Sequence, residues 1–206
     1  VGSEMCIRDS PVALVVLGPL GYNIGALLTT VILALYNTLG WLAVALLAAV
    51  LPFMISMGMH KALVPYAVAS ISDPGFEMLY MPASLAHNIS EGGACLGVAL
   101  KTKDENLRAT AISAGISGLF GITEPALFGV LTKYKKGFLA ATIGSCVGSP
   151  FIGAFGVRLY GYITSSIFSI PAYIGPYFIY AAIGWVIAFG LSFVLSYLFV
   201  VKMDRS

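Results

Sequence analysis

The sequence predicts an all-α integral membrane protein with about four to five spans, an interfacial amphipathic helix and two re-entrant hairpins. Three observations carry this. Hydrophobic residues make up 59% of the 206 and charged residues only 10%, against about 25% charged in soluble domains; mean hydropathy is +0.93. The apolar runs are long and continuous, without the alternating strands of roughly ten residues that mark an outer-membrane barrel. Several runs are broken internally by Gly and Pro. The sharpest break, Gly121-Ile122-Thr123-Glu124-Pro125, puts a carboxylate inside the apolar run 109–132.

The same numbers exclude other classes. A formal net charge of +2 is too small for a nucleic-acid footprint. Cys6, Cys95 and Cys146 lack metal-ligand or paired spacing, so Cys95 and Cys146 read as packing residues among Gly, Ala and Ser. No His/Cys cluster has zinc spacing and no phosphate-binding Gly-rich loop precedes a Lys-Ser/Thr pair. No metal or cofactor is expected.

In chain order, residues 1–10 (VGSEMCIRDS) are polar and read as a leader foreign to the fold. Residues 11–20 read as the end of a span whose beginning is missing, because about ten apolar residues cannot cross a bilayer. In 21–40, Tyr22, Thr29 and Tyr36 recur every seven residues, as do Asn23, Thr30 and Asn37. That stripe reads as a helix lying in the interface and linking two subdomains, with Tyr36 and Trp41 suited to that level. The alternative is a span turning its stripe toward the bundle. Residues 41–71 form one long apolar stretch broken at Pro52 and Pro65, and 72–81 a polar turn with Asp73, Pro74, Gly75 and Glu77. Residues 82–100 are a second span.

Residues 101–108 (KTKDENLR) are the most charged stretch, and Lys133 to Lys136 (KYKK) close the run that follows. If 109–132 crossed once, these two basic loops would face opposite sides of the membrane. If it enters and returns, both face the cytoplasm, as the positive-inside rule prefers. The break at its middle favours return, so 109–132 reads as a re-entrant hairpin with Glu124 near its tip. Residues 138–155 are a crossing with a small-residue face of Gly144, Ser145, Gly148, Ser149 and Gly153. Residues 158–176, interrupted by Gly161, Pro171, Gly175 and Pro176, read as a second re-entrant segment, and 177–201 as the last span.

Ionisable groups inside apolar runs pair, line a cavity or bind substrate. Glu124 can accept two adjacent hydroxyls, a geometry that suits a sugar ring; the alternative is a structural carboxylate on backbone N–H groups at the break. His60 follows Gly58 in Ser56-Met57-Gly58-Met59-His60, and can serve hydroxyls, shuttle a proton or simply satisfy bundle partners. Lys61 is expected to snorkel or pair with a carboxylate. His87, Asn88 and Glu91 share a helical face and line either a cavity or a helix–helix contact. Phe120, Phe128 and Tyr134 are candidate sugar-stacking rings, though packing is the commoner fate of membrane aromatics.

The run GLFGITEPALFGVLTKYKKGF at 118–138 resembles the signature of the membrane (IIC) component of the bacterial phosphoenolpyruvate-dependent sugar phosphotransferase system, in its glucose–sucrose–β-glucoside superfamily. MGMHKALVPYAV at 57–68 is similar to that family's Gly-x-His motif followed by Val-Pro. NISEGGACLGVALKTKDENLRA at 88–109 resembles its Asn-x-x-x-Gly-Gly stretch and basic loop, and GPLGYNIG at 18–25 also fits. The likeness runs in one order from about position 11 to the C-terminus and is greatest to the β-glucoside group. It implies a homodimeric, multi-pass permease of the bacterial inner membrane with a scaffold half and a transport half. On that reading 11–20 end a truncated scaffold span, 21–40 are the linking helix and 41–206 the transport domain. The resemblance puts sugar contacts on His60 and Glu124, with Thr123, Asn88 and Lys61 beside them as substrate-binding candidates. It further implies phosphorylation of the sugar on entry by a IIB domain charged by IIA, so that the phosphoryl-carrying residue is not on this chain; Glu124 and His60 are the possible catalytic groups. Lys61 stands where the β-glucoside group has Trp, and Ser90-Glu91 replaces a neutral pair centred on Gln. The competing class is a secondary sugar transporter or channel without coupled phosphorylation; a third reading is a fragment without function.

Overall fold

The computed structural model describes residues 38–72 and 75–201, together with Asn23, Leu27, Thr30, Val31 and Ala34. The expected leader at 1–10, the span end at 11–20 and the stripe residues Tyr22, Thr29, Tyr36 and Asn37 of the linking helix lie outside the described residues. Among the described residues the chain is helical. In order come α1 (Trp41–Ser56), a 3₁₀ segment (Met59–Leu63), α2 (Val64–Ser72), α3 (Tyr80–Lys101) and α4 (Glu105–Leu119). A π-helical segment (Pro125–Leu131), α5 (Lys135–Ala154), a second 3₁₀ segment (Ile167–Tyr173) and α6 (Phe178–Val201) follow.

Helix α3 is the axis of the molecule. Residues 80–95 are all buried, because α3 packs against α6, α4, α5 and α1. Glycines make the approach possible. A Cβ on Gly93 would stand 2.6 Å from Ser192 Oγ of α6, and one on Gly92 would stand 2.7 Å from the Leu119 side chain of α4. The small-residue face expected on α5 is divided between two partners. Gly144 and Gly148 meet backbone carbonyls of Ala188 and Gly184 on α6, and Gly153 meets Val44 on α1. Between apolar helices, with no water to expel, such close backbone approach is what drives association.

Helix α1 runs through Pro52 and stops at Gly58, whose φ of +73° is left-handed. Pro52 does not break the helix. Its ring deprives the Ala48 carbonyl of its N–H partner, and Ser145 Oγ of α5 lies 3.3 Å from that carbonyl, sharing its one proton between it and the Thr142 carbonyl at 3.0 Å. A side chain from a neighbouring helix thus replaces the missing backbone bond. The charged stretch 101–108 is also not simply a loop: α4 begins at Glu105, with Asp104 Oδ1 accepting from the N–H groups of Asn106 and Leu107. Arg108 donates back to the carbonyls of Ala99 and Thr102, which end α3.

The start of α3 is capped by a residue the sequence assigned to a polar turn. Glu77 is buried, and its carboxylate accepts from the backbone N–H groups of Leu79, Tyr80 and Met81 at 2.6, 2.6 and 2.8 Å. Its own backbone forms an antiparallel bridge with Leu159, tying the loop before α3 to the loop after α5.

Polar side chains lie within the apolar core, and the outer surface is apolar as well. The interior holds Ser84, His87, Asn88, Ser90, Glu91, Ser145, Ser149, Ser192 and Ser196. The outward faces carry Leu139, Ile143 and Val147 on α5, and Ile179, Ile183, Val186, Val194 and Leu198 on α6. Apolar surface that extensive suits a hydrocarbon solvent. Among the described residues, Lys135–Ala154 and Phe178–Phe199 are long and apolar enough to cross a membrane; the apolar α1, at 16 residues, is shorter.

Candidate functional site

The site is assembled where three pieces of irregular backbone meet α3. After α4 the chain turns at Gly121, with a φ of +89°. Pro125, lacking an N–H, opens the π-helical segment. That segment folds back along α4, with Ala126 beside Gly118. The loop between α5 and α6 comes against the same turn: a Cβ on Gly121 would lie 2.8 Å from the Ser165 carbonyl. Both the positive φ and this contact require glycine. The Ser165 carbonyl in turn accepts from Asn88 Nδ2 of α3 at 2.6 Å. One buried amide therefore holds together the central helix, the α4 turn and the α5–α6 loop.

These pieces enclose a cavity of about 90 Å³, room for several waters at roughly 10–15 Å³ each. Helix α3 presents Tyr80, Ser84 and Asn88, one turn apart, and Met81. The α4 turn presents Gly121, Thr123 and Glu124, the first 3₁₀ segment His60 and Lys61, α1 Ile55, and the late loop Tyr162, Thr164 and Ser165. Every residue the sequence nominated for substrate (Glu124, His60, Thr123, Asn88 and Lys61) lines this one cavity.

Their states differ from expectation in informative ways. Glu124 is exposed rather than buried, and it makes no hydrogen bond or ion pair with any described residue. It does not satisfy backbone N–H groups at the break, the structural role weighed for it; that role belongs to Glu77. His60 Nδ1 is enclosed and makes no hydrogen bond within the described residues, an arrangement that native proteins reserve for water or a ligand. The shared face read for His87, Asn88 and Glu91 is divided: only Asn88 reaches the cavity. His87 Nε2 and Glu91 Oε1 lie 3.1 Å apart inside the bundle, both fully buried. They are in close polar contact without an aligned hydrogen bond. Phe120, Phe128 and Tyr134 do not line the cavity; Phe120 stacks on Phe168 at 5.2 Å. Cys95 and Cys146 are free and pack toward the carbonyls of Ala126 and Ala45. Among the described residues no group of His, Cys, Asp and Glu could hold a metal.

The result is a polar, mixed-charge cavity bounded by two broken segments in an apolar bundle. The family model "Phosphotransferase system, EIIC" matches residues 9–145. The chain belongs to the phosphotransferase EIIC family. The beta-glucoside-specific EIIBCA component of Bacillus subtilis is 39% identical over 87% of this chain and 30% of its own length. The arbutin-, cellobiose-, and salicin-specific EIIBC component of Escherichia coli is 33% identical over 81% of this chain and 35% of its own. A sucrose-specific EIIBC component of Salmonella typhimurium is 32% identical over 94% and 42% respectively. The chain thus spans about a third of the length of the curated relatives it matches. No solved structure matches it.

In this EIIC chain the family-matched segment contains His60, Lys61, Asn88, Thr123 and Glu124, whereas Tyr162, Thr164 and Ser165 lie beyond it. Sequence reading missed those three, together with Tyr80, Met81 and Ser84. The α3 residues carried a usable signal, because Tyr80, Ser84 and Asn88 are spaced four apart and so share a helical face. The late-loop residues carried none: their position follows from a path of irregular backbone, without periodicity.

Proposed function

We propose that this EIIC chain is the sugar-translocating part of a phosphotransferase permease, binding a β-glucoside-type sugar and presenting it for phosphorylation by a IIB domain during uptake. The observation that carries this is the convergence of His60, Lys61, Asn88, Thr123 and Glu124 on one cavity. A carboxylate free of protein partners is a strong bidentate acceptor for ring hydroxyls. Asn88 Nδ2 spends one N–H on Ser165, which leaves its second N–H and its oxygen for hydroxyls. His60 contributes either tautomer. In-line phosphoryl transfer asks a protein mainly for positioning and electrostatic help, which this set can give.

Relatives named as EIIBC and EIIBCA components support IIB and IIA as partners. The 39% identity to the beta-glucoside-specific component of Bacillus subtilis is what supports a β-glucoside-type sugar. We read 41–206 as the transport domain, the doubled-back α4–π segment and the α5–α6 loop as two re-entrant segments, and the complete protein as a homodimer in the bacterial inner membrane.

The test separates binding from chemistry. Glu124→Gln in the complete permease is expected to weaken sugar binding roughly 10- to 100-fold, the worth of hydrogen bonds to a charged group, and to lower phosphorylation at least as much. Unchanged binding together with unchanged phosphorylation would remove both roles. Uptake that needs no phosphoenolpyruvate or soluble carriers, with free sugar accumulating, would make the protein a secondary transporter instead.

A further inference from the structure

The cavity holds more charge than sugar binding requires. A neutral sugar offers hydroxyls, for which Glu124, Asn88 and His60 suffice. Lys61 lines the same cavity, and among the described residues it has no ion-pair partner; the ion pair in this region is His87–Glu91, which lies elsewhere on α3. Lys61 and Glu124 are both exposed at the cavity and form no ion pair with each other. They are therefore free to address different chemical groups.

Resting on the phosphotransferase reading, we infer that Lys61 is a catalytic residue serving the phosphoryl group itself. Its ammonium neutralises the phosphoryl oxygens during transfer and on the product, while Glu124 holds neutral hydroxyls. A phosphate monoester carries about −1.5 to −2 charge at neutral pH, which the Glu124 carboxylate repels. The basic groups in the lining are Lys61 and His60. Lysine suits the task as a compact point charge with rotatable donors. The local fold supports it: the 3₁₀ segment is anchored by buried Leu63, while Lys61 is exposed. Lys61 thus stands at the accessible side of the segment that carries His60.

In the step itself, the sugar hydroxyl oxygen forms a bond to phosphorus as the S–P bond of a phosphocysteine on phosphorylated IIB breaks. The cysteine leaves as thiolate with the bonding pair, and the hydroxyl proton passes to the Glu124 carboxylate. Lys61 gives and takes no proton; it offsets charge on the three transferring oxygens.

The experiment uses the complete permease in membrane vesicles, phosphorylated IIB as donor and cellobiose as the sugar. Lys61→Gln is expected to lower kcat about 100-fold, as loss of a preorganised charge stabiliser does, with a rise in the Kd for unphosphorylated cellobiose at least about tenfold smaller than that loss. Lys61→Arg, which keeps the charge, is expected to restore a large part of kcat. Lys61→Gln at wild-type kcat overturns the inference, and so does a loss in cellobiose binding equal to the loss in turnover. A wild-type permease that shows no donor-dependent phosphorylation overturns the phosphotransferase reading, and this inference with it.

Discussion

Three glutamates in this chain meet three environments. Glu77 spends its carboxylate on three backbone N–H groups at the start of α3. Glu91 faces His87 within the bundle, and Glu124 stands in the cavity without a described partner. Glu124 was legible in the sequence because a carboxylate followed by Pro inside an apolar run has few structural uses. Glu77 was not, because an acid in a Gly/Pro-rich turn is ordinarily solvated, and its burial depends on the loop bridging to Leu159. The Glu91 pair makes a prediction at this scale. Glu91→Ala leaves the His87 ring enclosed without a polar neighbour, and is expected to destabilise the protein by about 1–3 kcal/mol. Glu91→Gln keeps a polar partner and is expected to cost less. Thermal unfolding in detergent separates the two: equal midpoints for both variants and wild type would mean that the pair contributes nothing.

The long helices follow the apolar runs closely. Helices α3, α5 and α6 cover Tyr80–Lys101, Lys135–Ala154 and Phe178–Val201, against expected spans of 82–100, 138–155 and 177–201. Breaks were harder to place. Pro52 looked like one and is not, because Ser145 compensates from another helix; Gly58 is one, because its backbone is left-handed. The glycine at the α4 turn carries the next prediction. Gly121→Ala forces a side chain into a positive-φ position and against the Ser165 carbonyl, at a cost of about 1–3 kcal/mol in backbone strain alone. Because the same carbonyl is held by Asn88, sugar binding is expected to fall together with the unfolding midpoint. Gly129→Ala is the control, since its new Cβ would meet only Thr110 Cγ2 at 3.8 Å, an ordinary contact. Equal behaviour of the two variants in a thermal-shift and binding comparison would refute a tight junction at the turn.

Across the bundle as a whole, serines and a His–Glu pair lie inside among buried Leu, Ile and Ala, and further large aliphatic side chains lie outside. That apolar outer surface fits EIIC membership and makes the outer face of α5 a test of the lipid assignment. Val147 is 49% exposed there, whereas Ser149 is fully buried. Val147→Lys is expected to raise the cost of inserting α5 by about 2.5–3.5 kcal/mol, read as a lower inserted fraction in a glycosylation-reporter assay. Insertion at the wild-type fraction would mean that this face does not meet hydrocarbon.

Composition and local chemistry were enough to establish a helical membrane chain, its main apolar runs, the Glu124 turn and the EIIC family, because each rests on residues adjacent in sequence or one helical turn apart. Which polar groups share a cavity was settled by packing. Asn88 meets Ser165 across 77 positions and Ser145 meets Ala48 across 97. His87, next to Asn88 in the chain, is turned into the bundle instead. Those meetings depend on how far glycine faces let the helices approach and how each helix is rotated about its axis. Hydrophobic patterning constrains that rotation weakly when every face of a helix such as α3 is covered by another.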